Sequence, residues 1–199
     1  MANYRAIAAT GLAICGYLRN ACPKPDFPKA EFELYAADNF DKHMPEGISL
    51  FLYRVAVSTG RRNLPPTVRP DGTRSRPPLP LDLFYLLTAW AQTAEMQQRL
   101  LGWTLRELEN LPSLPSGLLN HYGPESDAFR PGESVELIFD ALSVQDMNNL
   151  WEGFRVNKAN QQLSVGYIAR ILLIESDVEI SEHEPVQTRV FDYGKELPR

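Results

Sequence analysis

At 199 residues, with 44% hydrophobic and 23% charged side chains, the chain is long enough for one globular domain to bury a sizeable core. A formal net charge of −5 excludes a general attraction to nucleic acid or to an anionic membrane surface, because phosphate binding needs clustered cations. No apolar run reaches about 18 residues, so no membrane-spanning helix is expected.

In chain order, Tyr4, Ile7, Ala8, Gly11, Cys15 and Leu18 recur at helical spacing and predict a helix over Asn3–Asn20, stopped by Pro23, Pro25 and Pro28. Arg5 followed by the apolar stretch Ala6–Ile14 superficially resembles a secretory signal. It ends in Arg19-Asn20 rather than a small-x-small cleavage site, so a retained amphipathic helix is expected. Cys15 and Cys22 would lie on one face of that helix about 10 Å apart, too far for a disulfide. They read as packing residues in a reducing compartment. Glu31–Ala36 alternates charged and apolar side chains, as a half-buried or edge strand does. Ile48–Val57 is apolar on both faces and predicts a central strand covered on both sides.

Composition changes abruptly over Gly60–Pro80, where Arg61, Arg62, Arg69, Arg74 and Arg76 mix with Pro65, Pro66, Pro70, Pro77, Pro78 and Pro80. Such a segment cannot bury enough apolar surface to order itself, so a long loop is expected, either a partner-binding arm or a flexible hairpin loop. The arginines lack interleaved aromatics for base stacking and a helix to enter a groove, which favours acidic groups of a protein over nucleic acid.

Leu81–Trp90 reads as a second central strand, and Thr93 as the cap of a helix from Ala94 to Asn110 with Met96, Leu100, Leu101, Leu105 and Leu108 on its apolar face. Leu111–Pro115 ends it. Asn120–Gly132 reads as a polar loop and Ser134–Leu142 as a third core strand. Ser143–Asp146 matches a capping box ahead of Met147, Leu150, Trp151 and Phe154 at helical spacing. Leu163–Ile174 is the last strong strand. Residues 176–199 form a polar tail that alternates weakly over Gln187–Tyr193, and an extended terminus of this kind can add a strand to a partner's sheet edge. Together these elements predict one α/β domain over residues 1–175, with an arm at 60–80 and a C-terminal extension at 176–199.

Signatures of catalysis are missing: there is no G-x-G-x-x-G, G-x-x-x-x-G-K-[ST], G-x-S-x-G or H-E-x-x-H. His43, His121 and His183 are scattered, and no C-x-x-C exists, so neither a metal site nor a cofactor site is expected. His121, near Glu125 and Asp127, is the one plausible general base, with no nucleophile motif to serve. Asp38, Asp41 and Glu46 lack the ligand spacing of a calcium loop and read as turn chemistry.

The run Pro77-Pro78-Leu79-Pro80-Leu81-Asp82-Leu83-Phe84-Tyr85-Leu86-Leu87-Thr88-Ala89-Trp90 resembles the tail-terminator (cap) proteins of phage-tail-like extracellular contractile injection systems. Ile48–Val55, Arg62–Pro66, Gln98–Gly102, Glu136-Leu137, Ser143–Trp151 and Leu163–Tyr167 add to the resemblance, which spans Asn3 to Glu175. It implies a mixed, mostly antiparallel sheet flanked by helices, like that of phage tail terminators. It also implies a homohexameric ring that stops polymerisation of the inner tube protein and anchors the last layer of the sheath protein, with no catalytic residue and no cofactor. Assembly would take place in the bacterial cytoplasm, on a particle that can be released from the cell. Under that reading the contact residues are Arg61, Arg62, Arg69, Arg74 and Arg76 on the arm and Gln187, Arg189, Phe191 and Tyr193 on the tail, the latter positioned to add a strand to a neighbouring sheath subunit. The alternatives are a baseplate or adaptor module of the same machine, or a small cytosolic enzyme.

Overall fold

The computed structural model describes residues 2–61, 63–69, 71–154 and 161–180. Its centre is a six-stranded sheet: β1 (Glu31–Tyr35), β2 (Gly47–Val57), β5 (Leu79–Trp90), β6 (Ser113–Pro115), β7 (Ser134–Asp140) and β8 (Ser164–Ile174), in spatial order β1-β2-β5-β8-β7-β6. β1 and β2 run parallel and every other neighbouring pair is antiparallel. The expected mixed, mostly antiparallel α/β sheet is what forms. Two further short strands, β3 (Thr67–Val68) and β4 (Arg74–Ser75), make a separate hairpin. The helices are α1 (Ala6–Ala21), α2 (Ala94–Glu109), α3 (Ser116–Tyr122) and α4 (Val144–Phe154).

The sheet is covered unequally. On one face α1, α2 and α3 pack Ile14, Leu18, Leu100 and Leu119 onto Phe32, Ile48, Leu83 and Leu87 in a large, mainly aliphatic core. On the other face α4 brings Trp151 and Phe154 against Tyr35, Phe40, Leu86 and Trp90. This second core is small and aromatic: the Phe40 and Phe154 rings stack with centroids 4.2 Å apart, and Trp151 meets Phe40 edge-on at 5.5 Å. Phe40 arrives from the 3-10 turn Ala37–Phe40, part of the connection that carries the chain from β1 to its parallel neighbour β2.

Local signals in the sequence hold where short-range chemistry suffices. The Thr93 hydroxyl accepts from the Met96 N–H at 3.2 Å and starts α2. The Ser143 hydroxyl accepts from the Asp146 N–H at 3.1 Å. It also donates to the Asp146 carboxylate at 2.6 Å, so this carboxylate takes the hydroxyl rather than the main-chain N–H that a full capping box would give it. Cys15 and Cys22 are buried free thiols.

Three expectations are corrected by tertiary contacts. α1 starts at Ala6, not Asn3, because Ala2 bridges to Ile174 and the Asn3 side chain accepts from the Arg5 N–H at 2.9 Å. Residues 111–122 are not only a helix terminator and loop: Ser113–Pro115 pairs with Ser134–Glu136, and α3 extends to Tyr122. Three residues containing an edge proline carry no strand signature of their own. Finally, β2 is covered on both faces only in its first half, since its burial falls away after Leu50 and Val55 and Val57 are 45% and 47% exposed.

Candidate assembly interface

The Pro/Arg-rich segment is folded. The chain leaves β2 through a 3-10 turn at Thr59–Arg61, then forms the β3–β4 hairpin. Asp71 closes its tip by accepting from the Thr73 hydroxyl at 2.7 Å and the Thr73 N–H at 3.0 Å, which lowers the Asp71 carboxyl below its usual range. Gly72, at φ 85°, takes the left-handed position that the turn requires.

The other edge of β4 is occupied by the start of the C-terminal segment. Ser75 and Glu179 form an antiparallel bridge, the Arg76 N–H donates to the Val178 carbonyl at 2.9 Å, and the Ile180 N–H donates to the Arg74 carbonyl at 2.8 Å. Arg69 reaches Asp177 at 3.3 Å. Arm and tail thus meet in one ledge at the end of the sheet where β2 stops and β5 begins.

The arginines singled out in the sequence are therefore distributed along one structure. Arg61 is exposed beside a cleft of about 540 Å³ that Glu133, Glu136 and Ile171 also line. Arg69 is half-buried against Asp177, and Arg74 and Arg76 are exposed on β4 and just after it. Arg62, Gln187, Arg189, Phe191 and Tyr193 lie outside the described residues. Among the ledge's side chains Val68, Leu79, Val178 and Ile180 are exposed apolar groups, 62%, 47%, 51% and 38% accessible. The ledge therefore presents arginines and exposed aliphatic side chains side by side.

A second feature was hidden from sequence reasoning. β1 ends at Tyr35 opposite Phe51, so no described strand pairs with the outer edge of β2 from Leu52 to Val57. Beside that open edge lies an apolar groove of about 470 Å³ between the first turns of α1 (Tyr4, Ile7, Gly11) and Leu34, Leu52 and Tyr85. The Tyr85 hydroxyl is buried there with no hydrogen-bond partner among the described residues, and burial pushes its pKa well up. A run that is apolar on both faces looks the same in sequence whether or not a neighbour covers it.

The same geometry bears on chemistry. Glu125 and Asp127, the carboxylates nearest His121 in sequence, pair instead with Arg5, Asp127 at 3.6 Å. His121 is exposed, with its ring edge-on to Tyr122. Burial pushes the Cys15 thiol up to about 12, which suppresses the thiolate needed for nucleophilic attack. Among the described residues no group of three or more His, Cys, Asp or Glu side chains could hold a metal ion, and no helix is long and apolar enough to cross a membrane.

A sequence model for the Pvc16 N-terminal domain matches residues 13–188. The chain belongs to that family. Among solved structures, the sheath/tube terminator of the PVC extracellular contractile injection system, in its extended state, is similar over 96% of this chain and 62% of that one. The identity is 15% and the TM-score 0.55. The tube-terminating cap of the anti-feeding prophage matches over 88% of this chain and 60% of its own, at 14% identity and a TM-score of 0.49. The chain thus spans about three fifths of the length of these proteins. No curated protein matches it. At 15% identity the likeness to the PVC terminator shows a shared fold.

Proposed function

We propose that the protein is a non-catalytic structural subunit that caps and terminates the tube and anchors the last sheath layer of a contractile injection system, acting as a ring of identical copies. The observation that carries this reading is the family match across residues 13–188, supported by a fold shared along 96% of the chain with a sheath/tube terminator. A homohexamer is the proposed ring, and the inner tube protein and the sheath protein are its proposed partners. The ring assembles in the producing cell's cytoplasm, on the end of a particle that acts outside it.

The mechanism is steric. Tube growth is a heterologous assembly that does not close on itself, so it continues until a surface that cannot accept another layer covers the end. A ring whose one face complements the tube end and whose other face does not supplies that surface. The arm's arginines, with Gln187, Arg189, Phe191 and Tyr193 of the tail, are the proposed contacts to partner subunits, because cations beside exposed aliphatics favour a protein surface.

Light scattering on the purified chain, followed by electron microscopy of particles from cells lacking it, tests the reading. The expected result is a ring mass near six copies and, in the deletion, tubes of uncontrolled length with detached sheaths. A stable monomer whose loss leaves tube length and sheath attachment normal overturns it.

A further inference from the structure

We infer that the open half of β2 and the groove beside it are an acceptor site for the C-terminal segment Val186–Tyr193 of a neighbouring copy, added as a strand along Leu52–Val57 with Phe191 and Tyr193 entering the groove. The inference rests on the ring reading, in which each copy must offer both a donor and an acceptor surface.

Four observations converge on the site. First, an unprotected strand edge is a template for pairing, and proteins normally blunt it with charge, proline or a covering element. Here the β1 edge is blunted, since Arg19 donates to the Phe32 carbonyl. The β2 edge beyond Phe51 has only Arg54 as a charge, with Val55 and Val57 exposed. Second, Val55 and Val57 sit opposite Leu83 and Leu81, core residues on the α1 face, so an added strand would extend that core outward.

Third, the groove is lined mainly by apolar groups, Ile7 and Ala8 of α1 with Leu34, Leu52 and the Tyr85 ring, a lining that aromatic side chains fit. Gly11 leaves room for these side chains: a Cβ there would crowd Leu34 at 2.8 Å and touch the Tyr85 hydroxyl at 3.4 Å. Fourth, the donor is of matching chemistry. In Gln187-Thr188-Arg189-Val190-Phe191-Asp192-Tyr193 the aromatics fall on one side of an extended strand and Asp192 on the other. That other side of β2 carries Arg54, whose guanidinium lies 4.6 Å from the centre of the Phe84 ring. The described chain ends at Ile180, held on the ledge at this end of the sheet, and six further residues, the number that leads to Val186, can span at most roughly 20 Å at about 3.3 Å per residue, which sets the reach of the donor.

Cysteine cross-linking in the full chain tests the site. Val55→Cys and Phe191→Cys are made singly and together, with Val57→Cys covering the next register; the native thiols at Cys15 and Cys22 are buried. The expected result is that mixing the two single variants under mild oxidation yields a disulfide-linked dimer. The double variant should yield a ladder up to the ring mass, and adding Leu34→Asp, which puts a charge on the exposed wall of the groove, should lower cross-link yield severalfold. Ring-sized particles by light scattering without 55–191 or 57–191 cross-links overturn the site while leaving the ring intact. A cross-link confined within one copy, or formed from Phe191→Cys to the sheath protein alone, also overturns it. A monomer in light scattering removes the ring reading itself, and the docking inference with it.

Discussion

The two halves of β2 differ more than their residues suggest. Gly47–Phe51 has β1 on one side and β5 on the other, with an aliphatic core above and an aromatic core below. Leu52–Val57 has β5 on one side, no described strand on the other, and rising exposure along its length. Both halves are strongly apolar. The difference teaches that hydrophobicity in this chain marks surface to be covered, and that the described residues cover only part of it. Under the docking inference, the remainder is covered by a strand from a neighbouring copy.

Truncation separates the halves most sharply. Leu50→Ala, in the closed half, should cost about 2–5 kcal/mol of unfolding free energy, as for other buried leucines. Val55→Ala should cost less than about 1 kcal/mol, because that side chain is half exposed. Denaturant titration of both variants checks this, and equal losses would mean that the open half is closed by something within the subunit. The helix caps come next: Thr93→Ala and Ser143→Ala should each cost about 1 kcal/mol by the same measurement, since each leaves a helix N-terminal N–H without its side-chain acceptor.

Tyr85→Phe sharpens the comparison from the other direction. Removing a buried hydroxyl that has no partner among the described residues should leave the isolated chain as stable as before or more stable by about 1 kcal/mol. A clear loss of thermal stability would show that the hydroxyl is already satisfied in the isolated subunit. The smallest effect is expected on the ledge. Arg69→Ala should shift stability by no more than about 1 kcal/mol, because Asp177, its partner, is fully exposed and surface pairs contribute little. If arm and tail serve partners, particle length control should nonetheless suffer in that variant, scored by electron microscopy.

Much of the architecture was legible from the residues. The strands at 48–57, 81–90, 134–142 and 163–174 were readable because long apolar runs have few other uses in a domain of this size. α2 and α4 were readable because Thr93 and Ser143 cap them through contacts only three residues away. β6 and α3 were not, since a three-residue edge strand exists only by pairing with Ser134–Glu136. The arm presented its composition but not its shape: the hairpin depends on Asp71 and Gly72 locally, and on Val178 and Ile180 arriving from about a hundred residues away. The candidate docking groove was invisible, because its floor, Tyr85, reads as one more residue of a buried strand.

By itself, then, the sequence determined the fold class, the caps, the inert cysteines and the resemblance that led to the family, all of which rest on local pattern and short-range hydrogen bonds. Tertiary structure decided the parallel pairing of β1 with β2, the seating of the arm on residues 176–180, and which half of β2 stays open. Those features depend on which distant segments meet. That is fixed by the joint burial of two unequal cores and by the shortness of β1, which ends opposite Phe51 and leaves the rest of its neighbour's edge without a described partner strand.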